Sequence, residues 1–244
     1  MIPSEFEYHA PDTLEEAVGL LVQHGEEAKI LSGGHSLIPL LKTRIARPGV
    51  LVDIGRLRDL SYIREEGGAC RIGARTTHYE IESSDALKAH CPLLPEVAAQ
   101  IGDVQVRNKG TLGGSLSHAD PAADYPAAVI ALRATVAAVS PKGEREIPID
   151  EFFTDTLATC LEPDEILTEV RIPAAGGACA YRKAAQRASG FAVVGIAVQL
   201  AVADGTCTSA GVGVTGLAGR AFRAAGVEEA LTGGGRLRPS SVVH

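Results

Sequence analysis

The sequence predicts a protein of mixed helices and strands arranged in three successive units, and three observations carry that prediction. Hydrophobic spacing switches repeatedly between helical and strand periods along the chain. A glycine-rich stretch stands beside a helix in each of the first two units, and glycine and proline concentrate at residues 173–177, the best linker, ahead of a third unit opening near Ala178. With 244 residues the chain exceeds one minimal domain and can bury a core in each of two compact lobes.

In the first unit, residues 1–56, Thr13 followed by Glu16 has the spacing of a capping box. Leu14, Ala17, Val18 and Leu21 then recur at helical spacing until Gly25 stops the run. Residues 28–31 read as a short buried strand, Ser32 to His35 as a tight loop, 37–42 as a helical turn and 50–54 as the next strand.

The second unit is expected at residues 57–173. Strands around 62–64 and 70–74 flank a hairpin turn at 65–68. Helical segments follow around 80–90 and 93–101, then the second glycine-rich stretch at 109–115 and a run of small apolar residues at 122–131. Strands at 135–140 and 145–149 pair across the intervening turn, and 165–172 forms a closing strand. The third unit, residues 178–244, offers strand runs at 191–203 and 207–214 and a helix from about 220 to 231, on the same periodicity. The apolar face of that helix wants a partner the last residues hardly provide, so this unit is expected to be incomplete.

Composition excludes several classes of function. Hydrophobic residues at 45% and charged residues at 22% suit a folded protein, not a disordered one. A net charge of -7 without lysine or arginine runs leaves no footprint for nucleic acid. The most apolar stretch, 191–203, is broken by Gln199 and too short to cross a bilayer. The N-terminus shows no basic-then-apolar signal pattern, so a cytoplasmic location is expected. Five scattered cysteines, with no CxxC, provide no ligand set for zinc or an iron-sulfur cluster. If the protein handles electrons, the cofactor is organic or the metals lie on another chain.

Ser32, Gly33, Gly34, His35 and Ser36, and Thr111, Leu112, Gly113, Gly114 and Ser115, share a logic. Paired glycines let main chain approach a ligand closely, while hydroxyls and backbone N–H groups face anionic oxygens. Neither stretch has GxGxxG spacing and no Gly-Lys-Ser or Gly-Lys-Thr occurs, which disfavours a Rossmann domain or a P-loop. Either pair taken alone reads more readily as a plain turn; their joint placement favours a clasp around a pyrophosphate.

The stretch from Ile30 through Ser32-Gly33-Gly34-His35-Ser36 to Lys42, followed by Leu51-Val52-Asp53-Ile54, resembles the first flavin loop of the medium subunits of carbon monoxide dehydrogenases and their xanthine dehydrogenase relatives. Arg107-Asn108-Lys109-Gly110-Thr111-Leu112-Gly113-Gly114-Ser115, then His118 to Asp124, resembles the second. The similarity continues through Tyr181-Arg182-Lys183 and Gln186 to Ala192. It departs at Ser115, where many relatives have asparagine, and in ending at His244, earlier than expected.

The resemblance implies an α+β fold: an FAD-binding domain of the vanillyl alcohol oxidase (PCMH) type in two subdomains, followed by a C-terminal α+β domain with a small antiparallel sheet. It implies that residues 32–36 and 111–115 hold the FAD diphosphate through backbone N–H groups, with Asp124 accepting from the cofactor's sugar-like hydroxyls and Leu167 near the adenine. Lys183 and Phe191 fall where the C-terminal lobe approaches the flavin. Read from the residues alone, Asp124 caps a helix equally well, Leu167 and Phe191 fill core, Lys183 is a surface charge, and His118 is structural.

The implied partners are a large molybdenum-cofactor subunit and a small [2Fe-2S] subunit, in a heterotrimer or its dimer, with quinone, oxygen or NAD as external acceptor. No catalytic residue and no metal is expected on this chain. The alternative is a self-contained FAD oxidoreductase of the berberine bridge or vanillyl alcohol oxidase type, suggested by His35, which berberine bridge oxidases bond covalently to flavin; FAD is expected here without a covalent bond. A third reading is a structural subunit that has lost its cofactor.

Overall fold

The computed structural model describes residues 2–174 and 176–233, so Ala175 of the expected linker and residues 234–244 of the expected third unit lie outside the described residues. Strands β1 (Glu7–His9), β2 (Ala28–Leu31) and β3 (Val50–Asp53) form a parallel sheet in the order β1-β3-β2. Strand β1 was not anticipated, because three residues are too few to show alternation. Helix α1 (Leu14–His24) buries Ala17, Val18 and Leu21 against this sheet, as its spacing predicts. Thr13 accepts from the Glu16 amide at 3.1 Å, but the Glu16 carboxylate accepts from the Asp12 amide, so the capping box closes one residue early. Helix α2 (Leu37–Lys42) follows the first glycine loop.

The hairpin of β4 (Ile63–Glu66) and β5 (Ala69–Gly73) turns through Gly67 and Gly68, both at positive φ. The single helix expected around 80–90 is two, α3 (His78–Ser83) and α4 (Asp85–His90). Ser84 lies between them in extended conformation and caps the second through the Leu87 amide. Short helices α5 (Leu93–Ala98), α6 (Val104–Arg107), α7 (Leu112–His118) and α8 (Tyr125–Ala131) follow. Strands β6 (Thr135–Ser140) and β7 (Gly143–Pro148) pair as expected. A short helix α9 (Ile149–Phe152) and the small ribbon of β8 (Phe153–Asp155) and β9 (Ala158–Thr159) lead to β10 (Ile166–Ile172). The expected closing strand is in fact central: the antiparallel order is β4-β5-β10-β6-β7. Burial of six of its seven residues reflects neighbours on both edges and cover on both faces.

The third sheet runs β11-β12-β13-β14, all antiparallel: β11 (Ala178–Ala185), β12 (Ala192–Ala203), β13 (Thr206–Thr215) and β14 (Phe222–Arg223). It lies directly on α8, where side chains on Gly211 and Gly213 would meet the Ala131 and Ala127 carbonyls at 2.0 Å. Helix α10 (Ala225–Gly233) starts later than its periodicity suggested, because residues 222–223 extend the sheet first. Among the described residues, no helix is long and apolar enough to cross a membrane.

Candidate functional site

The two glycine-rich stretches are 79 residues apart in sequence and in direct contact in space. The Ser32 and Thr111 hydroxyls lie 3.1 Å apart. A side chain on Gly33 would meet the Lys109 carbonyl at 2.2 Å and the Gly110 Cα at 2.8 Å, so only glycine permits this approach. Gly33 therefore brings the main chain against the second stretch, a different task from approaching a ligand. Gly34, at φ +74°, turns the chain out of β2 into α2.

Among the described residues, the amides of Gly33, Gly34, His35 and Ser36 donate to no protein acceptor. The second stretch differs. It is the start of α7, with Thr111 as N-cap accepting from the Gly114 amide at 3.2 Å. The Leu112 amide donates to Thr76, the Gly113 amide to Ala74 and the Ser115 amide to the Thr111 carbonyl. Residues 111–115 were expected to hold the diphosphate through backbone N–H groups; four of those five amides donate within the protein. Two surface hollows, of about 240 and 440 Å³, are lined by neither stretch.

Beneath the second stretch lies a histidine that the sequence reading passed over. His78 is 5% exposed, packs edge-on to the Tyr125 ring at 5.2 Å, and receives Gly110 so closely that an added side chain would meet Nε2 at 2.5 Å. Its amide donates to the Gly110 carbonyl at 2.9 Å, bracing the stretch. Burial, with His35 and Arg107 nearby, pushes its pKa down to about 4. Nothing in the local pattern marked His78; only the glycine at 110 hinted at a close neighbour.

Asp124 does not cap α8, as it makes no side-chain cap bond. Its carboxylate, 6% exposed, accepts from the Tyr181 hydroxyl and pairs with Lys183 Nζ at 3.0 Å. Burial pushes the carboxyl above its ordinary value, against the pull of Tyr181 and Lys183. Lys183 also donates to the Gln100 carbonyl at 2.7 Å, so it is a buried tie between α5–α6, α8 and the third sheet and not a surface charge. Thr215 Oγ1 donates to the Pro121 and Ala123 carbonyls, and the Gly216 amide to Pro121, which stitches residues 121–124 to the same sheet. Leu167 is 5% exposed within the main core cluster. Phe191 is 49% exposed beside the 186–190 turn and so is not core filling.

A turn with free amides at 32–36, locked to the helix start at 111–115 and with no acidic side chain in either, suits the diphosphate of a dinucleotide. Comparison with known proteins shows the family. Residues 4–175 match the FAD binding domain in molybdopterin dehydrogenase, and 179–240 match the CO dehydrogenase flavoprotein C-terminal domain. The chain is 43% identical over 235 residues to the carbon monoxide dehydrogenase medium chain of Hydrogenophaga pseudoflava, covering 96% of this chain and 82% of that one. It is 35% identical to the glyceraldehyde dehydrogenase medium chain of Sulfolobus acidocaldarius, covering 96% and 83%. A solved carbon monoxide dehydrogenase from Hydrogenophaga pseudoflava superposes with a TM-score of 0.94 at 44% identity, covering 98% of this chain and 84% of that one. Quinoline 2-oxidoreductase from Pseudomonas putida 86 gives 0.87 at 31% identity, covering 99% and 90%. The chain belongs to the family of FAD-binding medium subunits of carbon monoxide dehydrogenase and xanthine dehydrogenase-like molybdenum hydroxylases, and it carries that family's FAD-binding and C-terminal flavoprotein domains.

Proposed function

We propose that this subunit accepts electrons from [2Fe-2S] clusters on a small partner, reduced in turn by a large molybdenum-cofactor subunit, and passes them to quinone, oxygen or NAD. When bound, FAD supplies the capacity to take up and release electrons singly or in pairs. The chain's own residues bind and orient it. The unpartnered amides of Gly33 to Ser36 are the observation that carries this reading, since four adjacent N–H groups match a diphosphate. Thr111 and Ser115 add hydroxyls, and α7 keeps the second stretch rigid beneath them.

Asp124, Leu167, Lys183 and Phe191 are proposed with them on the family likeness. Exposure of the Phe191 ring supports its contact with cofactor, and the Asp124–Lys183 pair would then act on the cofactor as a unit. His35 Nδ1 lies 3.0 Å from the Gly33 carbonyl, which favours a ring held within its own turn and a non-covalent cofactor. Residues 1–56 and 57–173 are proposed as the two subdomains around FAD, with 178–244 as the C-terminal domain.

Relatives named for carbon monoxide, glyceraldehyde and nicotinate are 35–43% identical to this chain, which supports a substrate site on another subunit. A visible spectrum with a flavin count after denaturation, followed by co-purification with a molybdenum subunit, tests the proposal. One FAD per chain released by acid, together with a molybdenum partner, supports it. Colourless protein defeats the cofactor claim, and acid-stable colour without a partner favours the self-contained oxidase.

A further inference from the structure

Outside the two glycine-rich stretches, the N-terminal sheet and the helix packed on it carry a cluster of metal-binding side chains. Glu7 and His9 stand two residues apart on β1 and so face the same side of that edge strand. His24 is the last residue of α1, where Gly25 turns the chain at φ +53°. One ligand atom from each of the three lies within 4.8 Å of the others. His9 Nε2 and Glu7 Oε2 are 3.6 Å apart, close to the edge of about 3.3 Å expected of a tetrahedron with bonds of about 2.0 Å. The two imidazole rings are 5.7 Å apart at 32°.

Both His9 Nε2 and His24 Nε2 are shielded from solvent and have no hydrogen-bond partner among the described residues. Two such atoms side by side would each cost about 1–3 kcal/mol if left unsatisfied, and the Glu7 carboxylate, 3.6 Å from His9 Nε2, is beyond hydrogen-bond distance. A bound cation satisfies both at once.

We propose that Glu7, His9 and His24 form a binding site for a first-row divalent metal ion, zinc fitting best, which ties the edge strand β1 to the end of α1. Two imidazole nitrogens and one carboxylate oxygen match zinc's preferred donors, whereas magnesium and calcium take oxygen ligands. Three protein ligands leave a fourth position for water or another donor. The site is independent of the flavin reading.

The test is calorimetric titration of chelator-treated, FAD-loaded full chain with zinc chloride, and separately with magnesium chloride. One zinc per chain and no magnesium uptake are expected. His24→Ala and His9→Ala should each weaken zinc binding by at least about tenfold, the lower bound seen when even an outer-sphere partner of a metal ligand is lost. Alanine suits the end of a helix, so His24→Ala should keep the fold, shown by an unchanged ratio of flavin to protein. Zinc should raise the melting temperature of the unaltered chain and not of His24→Ala. Absence of zinc uptake, or uptake undiminished in a flavin-replete His24→Ala chain, overturns the proposal while leaving the flavin assignment untouched.

Discussion

The turn at residues 32–36 and the helix start at 111–115 have the same kinds of residues and opposite hydrogen-bond economies. In the first, four consecutive amides lack protein acceptors among the described residues; in the second, four of five are committed to Thr76, Ala74 and Thr111. The first is therefore suited to grip an anion and the second to hold the first in place. Gly33 seats itself on the Lys109–Gly110 main chain, and Gly110 in turn rests on His78, so the support passes inward from the turn to the core. Similar glycine content thus does not mean similar work: a glycine can free an amide, admit a neighbouring chain, or do both.

The largest test of this division exchanges one hydrogen for a methyl group in each stretch. Gly33→Ala drives Cβ into a backbone carbonyl at 2.2 Å and should yield nearly colourless protein. Gly114→Ala meets only the Thr111 hydroxyl, at 2.7 Å, the tip of a side chain that can shift at the cost of its cap bond, and should keep most of its flavin. Equal losses in a flavin count after denaturation would break the distinction between gripping and supporting.

Asp124→Ala comes next, because it leaves Lys183 buried without its partner carboxylate. Denaturant unfolding should show a loss of about 3–5 kcal/mol. Asp124→Ala with Lys183→Met should recover part of it, whereas FAD affinity lost equally in both would place Asp124 on the cofactor.

The His78 prediction concerns pH. A histidine near 6.5 when unfolded and about 4 when folded binds its proton more readily in the unfolded chain. Its contribution is therefore intact above pH 6.5 and declines as pH falls to about 4, by up to about 3 kcal/mol. His78→Gln should flatten that part of a stability-against-pH curve measured in urea, and an unchanged slope would assign the acid sensitivity elsewhere. The smallest effect belongs to Ser32→Ala, which removes the hydroxyl contact with Thr111. It should cost about 1 kcal/mol of FAD binding, roughly a fivefold rise in Kd by titration.

The sites were legible where chemistry is local. Glycine pairs flanked by hydroxyls announced main chain in unusual conformations, and Leu14, Ala17, Val18 and Leu21 announced a helix by spacing alone. His78, Tyr181 and Gln100 were not legible, because each acts through a residue at least 32 positions away: Gly110, Asp124 and Lys183. Strand β11 escaped for a related reason. Arg182 and Lys183 lie within it, and the lysine is buried only because Asp124 meets it across the lobe boundary.

The sequence by itself determined most of the longer helices and strands, the two glycine-rich stretches and the family, since periodicity, turn chemistry and motif order are properties of neighbouring residues. Tertiary structure alone decided that β10 is central, that the two stretches touch, and that their amides divide into free and committed. Hydrogen-bond partners and close contacts depend on which distant segments arrive at the same place, and that is settled by packing the whole chain.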